Sequence, residues 1–169
     1  MTDEPADSVP TDREETDQEA TIVYPVSDGR ILLIEKRRGV GAGLYNGPGG
    51  KVEPGESPRE AARREVREEI DARVPSVTKY GDLEFVFGDE HFMTVHVYRA
   101  PGVDGEPAET PEASPVWVDL DAIPYDRMWE DDRHWLPHLL DRRPFRGWFR
   151  FDADGEELRG WALETDEPT

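Results

Sequence analysis

The sequence predicts one mixed α/β domain, of the α+β kind, over residues 21–169. Two strand-like segments joined by a turn open this range, and further strand-like segments fill its second half. Between them, residues 57–70 are almost all strong helix formers. At 169 residues, the chain has the length of one folded unit with one core. These observations together predict a mixed sheet with a helix packed against it.

The first 20 residues differ in composition from the rest of the chain. They are rich in Asp, Glu, Thr and Pro, and they carry few apolar side chains. Such a segment cannot bury enough apolar surface to offset the entropy that ordering would cost. We therefore predict a disordered acidic tail over residues 1–20.

The strands and loops follow from local sequence, in chain order. Strand-like segments rich in β-branched and aromatic residues cover residues 21–26, 31–37, 83–88, 93–100, 115–120, 145–151 and 158–164. A glycine-rich loop, GVGAGLYNGPGG, follows the second of these segments. Residues 101–114 are rich in Pro, Gly and acids, which predicts a loop. The last two strand-like segments flank the turn DADG and should close the chain as a hairpin.

Two segments are predicted to be helical. Ser57 is a plausible N-cap with Pro58 at the first helical position, and the helical pattern then continues to Ile70. Ala62, Val66 and Ile70 would form the stripe that faces the sheet. A second helix is predicted over residues 131–143, although Pro137 interrupts its pattern.

Three carboxylates of the first helix should converge on one side of it. Residues three and four positions apart share a helical face, which brings Glu65, Glu68 and Glu69 together. Their mutual repulsion would be offset by a hard divalent cation, and Mg²⁺ prefers oxygen ligands together with substrate phosphates. The alternative is a solvated acidic face that Arg63, Arg64 and Arg67 balance.

The charge and composition indicate the conditions and partners that suit the protein. The chain carries 39 Asp and Glu against 20 Lys and Arg, a formal net charge of −19, which disfavours nucleic acid as a partner. Such an excess is better tolerated where salt screens it, so we expect a salt-rich, halophilic cytoplasm, with an ordinary acidic protein as the alternative. The chain has no cysteine, no signal peptide and no apolar run for a membrane. We expect a soluble cytoplasmic monomer.

The spacing of the glycine-rich loop and the helix resembles the Nudix box, written G-x5-E-x7-R-E-U-x-E-E-x-G-U with U apolar. The matching positions are Gly50, Glu56, Arg64, Glu65, Val66, Glu68 and Glu69. The final glycine of the pattern is Asp71 here, followed by the apolar Ala72. Since Asp tolerates the left-handed conformation, we expect the helix to end at the same place.

The resemblance to the Nudix family extends over residues 21–165, and within the family it points to the oxidized purine nucleoside triphosphatases. It implies a Nudix-type α/β/α sandwich with a mixed sheet, a glycine-rich loop and a catalytic helix. It also implies Mg²⁺-dependent hydrolysis of 8-oxo-dGTP or 2-hydroxy-dATP to the monophosphate and pyrophosphate, in nucleotide-pool sanitation. The metal, Mg²⁺ or Mn²⁺ in its place, would be held by Glu65, Glu68, Glu69, the carbonyl of Gly49 and Glu112. Arg64 would orient the glutamates.

The same resemblance implies a nucleotide site formed by Thr21, Lys36, Asn46, Gly49, Gly50, Lys51, Phe85, Met93, Trp129, Asp131 and Asp132. Asn46 offers a donor and an acceptor, so it could read a purine edge in two directions. Asp131 and Asp132 cannot both ionise cheaply in a pocket, so one of them should be protonated. The alternatives are that an aspartate only caps the second helix, and that Thr21, Lys36, Phe85 and Met93 are ordinary surface or core residues.

Two other functions remain open at this point. A Nudix hydrolase could act instead on ADP-ribose, a dinucleoside polyphosphate or a normal nucleotide, although the MWEDD stretch at residues 128–132 argues against this. A catalytically silent nucleotide sensor is the second alternative. The intact R-E-x-x-E-E run argues against a sensor, because a silent protein would not need all the metal acids.

Overall fold

The computed structural model describes residues 18–37 and 42–165. Most of the predicted acidic tail lies outside the described residues. Its last part was placed wrongly, because the first strand begins at Glu19 rather than at residue 21. The reason is a long-range pairing, since Glu19 and Ala20 lie opposite Thr94 and Val95 of another strand. The folded domain therefore starts slightly earlier than its composition suggests.

The structure contains all the strands and helices that the sequence predicts. The strands are β1 (Glu19–Ser27), β2 (Arg30–Lys36), β3 (Tyr45–Asn46), β4 (Gly49–Lys51), β5 (Thr78–Phe87), β6 (Glu90–Ala100), β7 (Ala113–Asp119), β8 (Phe145–Phe151) and β9 (Leu158–Thr165), and the helices are α1 (Pro58–Ile70) and α2 (Asp132–Leu140). The short strands β3 and β4 lie within the predicted glycine-rich loop. No helix in the described ranges is long and apolar enough to span a bilayer.

The strands form a mixed sheet, as predicted. Its main path runs β3-β2-β1-β6-β5-β8-β9, with β4 added to β1 and β7 added to β2. The pairs β1/β6 and β5/β8 are parallel, whereas the other pairs are antiparallel. One edge of β1 is shared, because its first half pairs with β4 and its last residues pair with β2.

A helix packs on each face of this sheet, which confirms the α/β/α sandwich. On one face, α1 buries Ala62, Val66 and Ile70 against Val23 and its neighbours. On the other face, α2 buries an apolar stripe of Trp135, Leu136 and Leu139. The C-terminal end of α2 is held to β6, since the guanidinium of Arg99 donates to the carbonyl oxygens of Leu139 and Leu140 at 3.2 and 3.0 Å.

Both ends of α1 are fixed by local interactions. Ser57 is the N-cap, and it forms a reciprocal capping box with Glu60. At the other end, Asp71 adopts the left-handed conformation with φ 55° and ψ 41°. The expectation that Asp71 would end the helix in place of glycine is confirmed. The side chain of Asp71 is strained there because its Cβ crowds the following carbonyl.

Asp71 provides a test of this helix ending. We expect Asp71→Gly to raise the free energy of unfolding by about 1 kcal/mol, because glycine adopts positive φ without a Cβ penalty. Asp71→Ala should lower it instead. Urea denaturation of the three proteins measures the difference. Equal stability of the glycine and alanine variants would contradict the proposed strain.

Candidate active site

One cavity brings the predicted nucleotide residues together. It has a volume of about 430 Å³ and lies between β1, the middle of the sheet and the start of α2. Every predicted nucleotide-binding residue lines it: Thr21, Lys36, Asn46, Gly49, Gly50, Lys51, Phe85, Met93, Trp129, Asp131 and Asp132. Glu69 lines the same cavity, so the carboxylate helix and the paired aspartates open into a common space.

The glycines of β4 allow the loop to lie directly against β1 and α1. A Cβ on Gly49 would come within 2.0 Å of the carbonyl oxygen of Thr21. A Cβ on Gly50 would lie 2.4 Å from the carboxylate of Glu65. Glycine is therefore needed at both positions because the loop packs directly against other parts of the protein. This packing brings the loop backbone next to the carboxylates of α1.

Arg64 joins the loop to the carboxylates of α1. Its guanidinium forms a bidentate pair with Glu56 at 2.7 and 2.9 Å. It also donates to Glu65 at 3.0 Å, to Glu68 at 3.2 Å and to the carbonyl oxygen of Lys51 at 3.0 Å. The hydrogen bonds from Arg64 lower the pKa of Glu56 to about 2. A planar donor fork suits this arrangement because a lysine ammonium could not serve all these acceptors at once.

Glu69 is the most buried of the three helix carboxylates, with 7% of its surface exposed. Burial raises its pKa to about 7, although the backbone N–H of Gly49 donates to it at 3.1 Å. The nearby charges of Glu65 and Glu112 raise the same pKa further, and Lys36 lowers it. Burial also raises the pKa of Glu65. The surroundings of Glu65 and Glu69 thus contain too little positive charge to offset the cost of burying their ionised carboxylates.

Glu68 and Glu112 differ in how firmly the structure positions them. The side chain of Glu68 is 59% exposed and contacts Arg64. Glu112 lies in the loop before β7, and its N–H donates to Thr110 Oγ1 at 3.2 Å. Thr110 in turn donates to the carbonyl oxygen of Glu69 at 2.8 Å, so this loop is tied to α1. Thr110 has no motif around it, and sequence reasoning missed it.

The residues at this end of the cavity fit a divalent cation. In residues 18–37 and 42–165, no group of three acidic or histidine side chains lies close enough together to hold a metal ion by itself. Glu65 and Glu112 are nevertheless close enough to Glu69 for their charges to raise its pKa, and all three side chains offer hard oxygen donors. Mg²⁺ is commonly bound by one or two carboxylates together with substrate phosphates, so a partial protein set is what such a site needs.

Asp131 and Asp132 lie at the other end of the cavity, 2% and 3% exposed. Asp131 stands at the N-cap position of α2, but its side chain makes no capping hydrogen bond. It accepts a hydrogen bond from Trp135 Nε1 at 2.7 Å instead. One oxygen of Asp132 is buried without a hydrogen-bond partner among the described residues. The structure therefore does not support capping by Asp131, the alternative that sequence reasoning left open.

The two aspartates share one buried environment. Burial raises the pKa of both carboxyls, and the charge of Asp131 raises that of Asp132 further. Since two adjacent carboxylates cannot both ionise cheaply in a buried place, the pair favours holding one shared proton. A protonated carboxyl with an unsatisfied oxygen can exchange hydrogen bonds with a ligand.

Aromatic side chains form the wall between the two ends of the cavity. Phe85 stacks on Phe149 at 6.0 Å between ring centroids, and Trp129 meets the edge of Phe151 at 5.9 Å. Sequence reasoning named Phe85 and Trp129 but missed Phe151 and Trp135, which also line the cavity. Trp135 could have been found from its position four residues after Asp131, one helical turn away.

The basic residues Lys36 and Lys51 and the hydroxyl of Thr21 lie at the end of the cavity near α1. Thr21 is buried, and its hydroxyl donates to the carbonyl oxygen of Gly50 at 3.3 Å. This bond helps to hold β4 against β1, so the role of Thr21 in the structure is positional. Lys36 acts on Glu69 through its charge, and Lys51 closes β4 beside Arg64.

A larger groove of about 710 Å³ lies on the opposite face of β5, β6, β8 and β9. It is lined by none of the predicted site residues. Its acids already have partners: Asp82 contacts Lys79 and His96, and Glu84 accepts a hydrogen bond from Thr94 at 2.7 Å. The smaller cavity is the better candidate because it combines two buried carboxyls, one of them with an oxygen that lacks a hydrogen-bond partner among the described residues, with an apolar wall.

Comparisons with known proteins agree with this geometry. The family model described as NUDIX domain matches residues 16–139. The chain is 46% identical over 134 residues to the oxidized purine nucleoside triphosphate hydrolase of Danio rerio, covering 79% of this chain and 86% of the relative. It is 42% identical over 144 residues to the protein of the same name from Mus musculus, covering 85% and 92%. The MutT protein structure from Bacillus halodurans superposes with a TM-score of 0.77 at 29% identity, covering 87% of this chain and 97% of that one.

Arg64 gives a test of the carboxylate end of the site. We expect Arg64→Lys to lower kcat/KM about 10- to 100-fold, because lysine cannot hold Glu56 and Glu65 together. Arg63→Lys is the matched control, since Arg63 is the exposed neighbour on the same helix. Steady-state hydrolysis and urea denaturation of both variants separate activity from stability. Equal activity of the two variants would show that Arg64 does not position the carboxylates for activity.

Proposed function

The chain belongs to the NUDIX domain family, and on that premise we propose that it hydrolyses oxidized purine nucleoside triphosphates to the monophosphate and pyrophosphate. The observation that carries this proposal is the single cavity between the α1 carboxylates and the paired aspartates of α2. One end offers acids suited to metal and phosphate, and the other offers buried polar groups suited to a base. Two relatives named oxidized purine nucleoside triphosphate hydrolase support the same substrate class.

Hydrolases of this family use divalent metal ions. We propose Mg²⁺, with Mn²⁺ as a substitute, held by Glu65, Glu68, Glu69 and Glu112 and the carbonyl of Gly49. The ion would neutralise phosphate charge and lower the pKa of a bound water. The raised pKa of Glu69 supports this assignment, because such a carboxylate gains from a neighbouring cation.

The protein residues would orient the triphosphate and move the proton of the attacking water. Arg64 fixes the direction of Glu65 and Glu68 through its hydrogen bonds. One of the α1 carboxylates, or a water that they polarise, would accept the proton. Lys36 and Lys51, on the same side of the cavity, would balance phosphate charge, and the glycines of β4 keep the loop backbone close to the carboxylate of Glu65 there.

Recognition of the base would fall to the other end of the cavity. Asp132 in its protonated form would donate a hydrogen bond, and Asp131 would accept one. Trp129, Phe85 and Met93 would contact the faces of the purine. A proton that moves between the aspartates would let the pocket accept different oxidized bases, which supports a role in nucleotide-pool sanitation.

Composition supports a cytoplasmic setting with high salt for this activity. The net charge of −19 would be screened there, and a chain without cysteine needs no oxidising compartment. Among the described residues, the exposed large apolar side chains are Val116 on β7 and Trp161 on β9, two strands that do not pair with each other, which supports a monomer. ADP-ribose hydrolysis and nucleotide sensing without catalysis are the competing functions.

A substrate panel tests the proposed function. We expect hydrolysis of 8-oxo-dGTP or 2-hydroxy-dATP, with Mg²⁺ in molar KCl, to exceed that of dGTP, dATP and ADP-ribose, with pyrophosphate as a product. Glu69→Gln should lower kcat at least about 100-fold without unfolding, because it keeps the shape of the buried side chain and removes its charge. Glu106→Gln removes an exposed loop acid as the control. Activity confined to ADP-ribose would reject the substrate class, and wild-type rates in Glu69→Gln would reject the metal assignment.

The proton on Asp132 predicts a pH dependence. Its raised pKa in the folded protein means that the donor form is present below that pKa and is lost as the pH rises through it. We therefore expect KM for the oxidized nucleotide to rise with pH. Asp132→Asn, which keeps an N–H donor at every pH, should flatten this rise. Asp126→Asn is the control because Asp126 is an exposed acid on the preceding turn. An unchanged pH profile in Asp132→Asn would refute this role.

A further inference from the structure

Thr110 lies in the loop before β7, where its side chain links the last turn of α1 to the backbone of Glu112. Its hydroxyl donates to the carbonyl oxygen of Glu69 at 2.8 Å and accepts from the N–H of Glu112 at 3.2 Å. The partners fix both directions, because a backbone carbonyl oxygen can only accept and a backbone N–H can only donate. A hydroxyl can fill both roles at once, whereas an apolar side chain can fill neither.

The same loop completes the C-terminal end of α1. The last carbonyl oxygens of a helix have no partner within that helix. Here the N–H of Ala108 donates to the carbonyl oxygen of Ile70 at 2.7 Å, next to the bond from Thr110 to Glu69. The loop therefore takes the place of a further helical turn, and its position is fixed relative to the α1 carboxylates.

Glu112 is held on its other side by the end of β2. Its carbonyl oxygen accepts from the N–H of Arg37 at 3.0 Å. The next residue, Ala113, is the first residue of β7 and pairs with Lys36 of β2. The backbone of Glu112 is thus fixed by one contact from the end of β2 and one from Thr110. Of these two contacts, the one from Thr110 leads to α1.

A cation that Glu69 and Glu112 share would require the protein to hold two like charges close together. Glu112 lies close enough to Glu69 for its charge to raise the pKa of Glu69. Since like charges repel, the two side chains would move apart unless the backbones that carry them were tied together. The hydroxyl of Thr110 supplies this tie, with one hydrogen bond to the backbone of each residue.

We propose that Thr110 is a positioning residue that holds Glu112 beside Glu69, so that both carboxylates can bind a divalent cation. This inference rests on the proposed function and adds to it a residue outside the Nudix box. Thr110 acts through the backbone of Glu112 and does not itself bind the metal or the nucleotide. Groups that orient metal ligands change the affinity for the metal about 10- to 100-fold when they are removed.

The test measures Mn²⁺ binding to the nucleotide-free protein by electron paramagnetic resonance, in molar KCl to screen the acidic surface. Thr110→Val keeps the shape of the side chain and removes its hydroxyl, so we expect Mn²⁺ affinity to fall at least about tenfold. Thr110→Ala also removes the hydroxyl and should lose as much. Thr110→Ser keeps the hydroxyl and should retain the affinity of the wild type.

A double variant separates positioning from general stability. Glu112→Gln should weaken Mn²⁺ binding, because it removes a charged ligand. Adding Thr110→Val to Glu112→Gln should change the affinity less than about twofold, since the carboxylate that Thr110 positions is already gone. The Mg²⁺ concentration that gives half-maximal hydrolysis should rise in Thr110→Val and stay unchanged in Thr110→Ser.

Thr94→Val is the matched control, because it also removes a hydroxyl that makes a hydrogen bond, to Glu84 in the larger groove. It should leave Mn²⁺ affinity unchanged, and thermal unfolding shows whether each variant is folded. Wild-type affinity in folded Thr110→Val, or an equal loss from this change with and without Glu112→Gln, would overturn the inference and leave the proposed function intact. A loss in Thr110→Ser as large as in Thr110→Val would overturn it too. If the wild type binds no Mn²⁺, the metal assignment of the proposed function fails together with this inference.

Discussion

The pairing of β1 with three other strands is the constraint on which both ends of the site depend. Its first half holds β4, which carries Gly49 and Gly50 against α1, and its last residues hold β2. Between them, Val23 donates its N–H to the carbonyl of Pro48 at 2.8 Å. Because β1 also pairs with β6, the strand that anchors α2 through Arg99, both helices are fixed to one support. The cavity is the space that this support leaves between them.

Two sets of acids are withdrawn from water in a protein whose surface is already strongly negative. At α1, a guanidinium compensates several carboxylates, and its planar donors suit acids that must keep their charge. At α2, Asp131 accepts a hydrogen bond from the neutral Trp135, and burial raises the pKa of both aspartates instead. The two ends of the cavity therefore differ in how their acids are compensated, by a guanidinium at α1 and by a raised tendency to hold a proton at α2.

Sequence predicted the parts of this site that depend on neighbours in the chain, and it missed the parts that depend on distant residues. The helix, its cap at Ser57 and its left-handed end at Asp71 depend on neighbours in the chain, and the sequence predicted them. The strands β3 and β4 were missed, because two or three residues carry no periodic signal and form only by pairing with β1 and β2. Thr110 was missed for the same reason, since its partner Glu69 lies 41 residues away.

The polar groups at the α2 end of the cavity differ in how freely they can change their hydrogen-bonding roles. Asp131 and Asp132 can exchange donor and acceptor roles by moving a proton, at little cost in geometry. The amide oxygen of Asn46 is less free, because it accepts hydrogen bonds from the Tyr24 hydroxyl and from the backbone N–H of Gly47. The cavity therefore contains polar groups whose donor and acceptor roles can change with a proton, and one oxygen that is already engaged inside the protein.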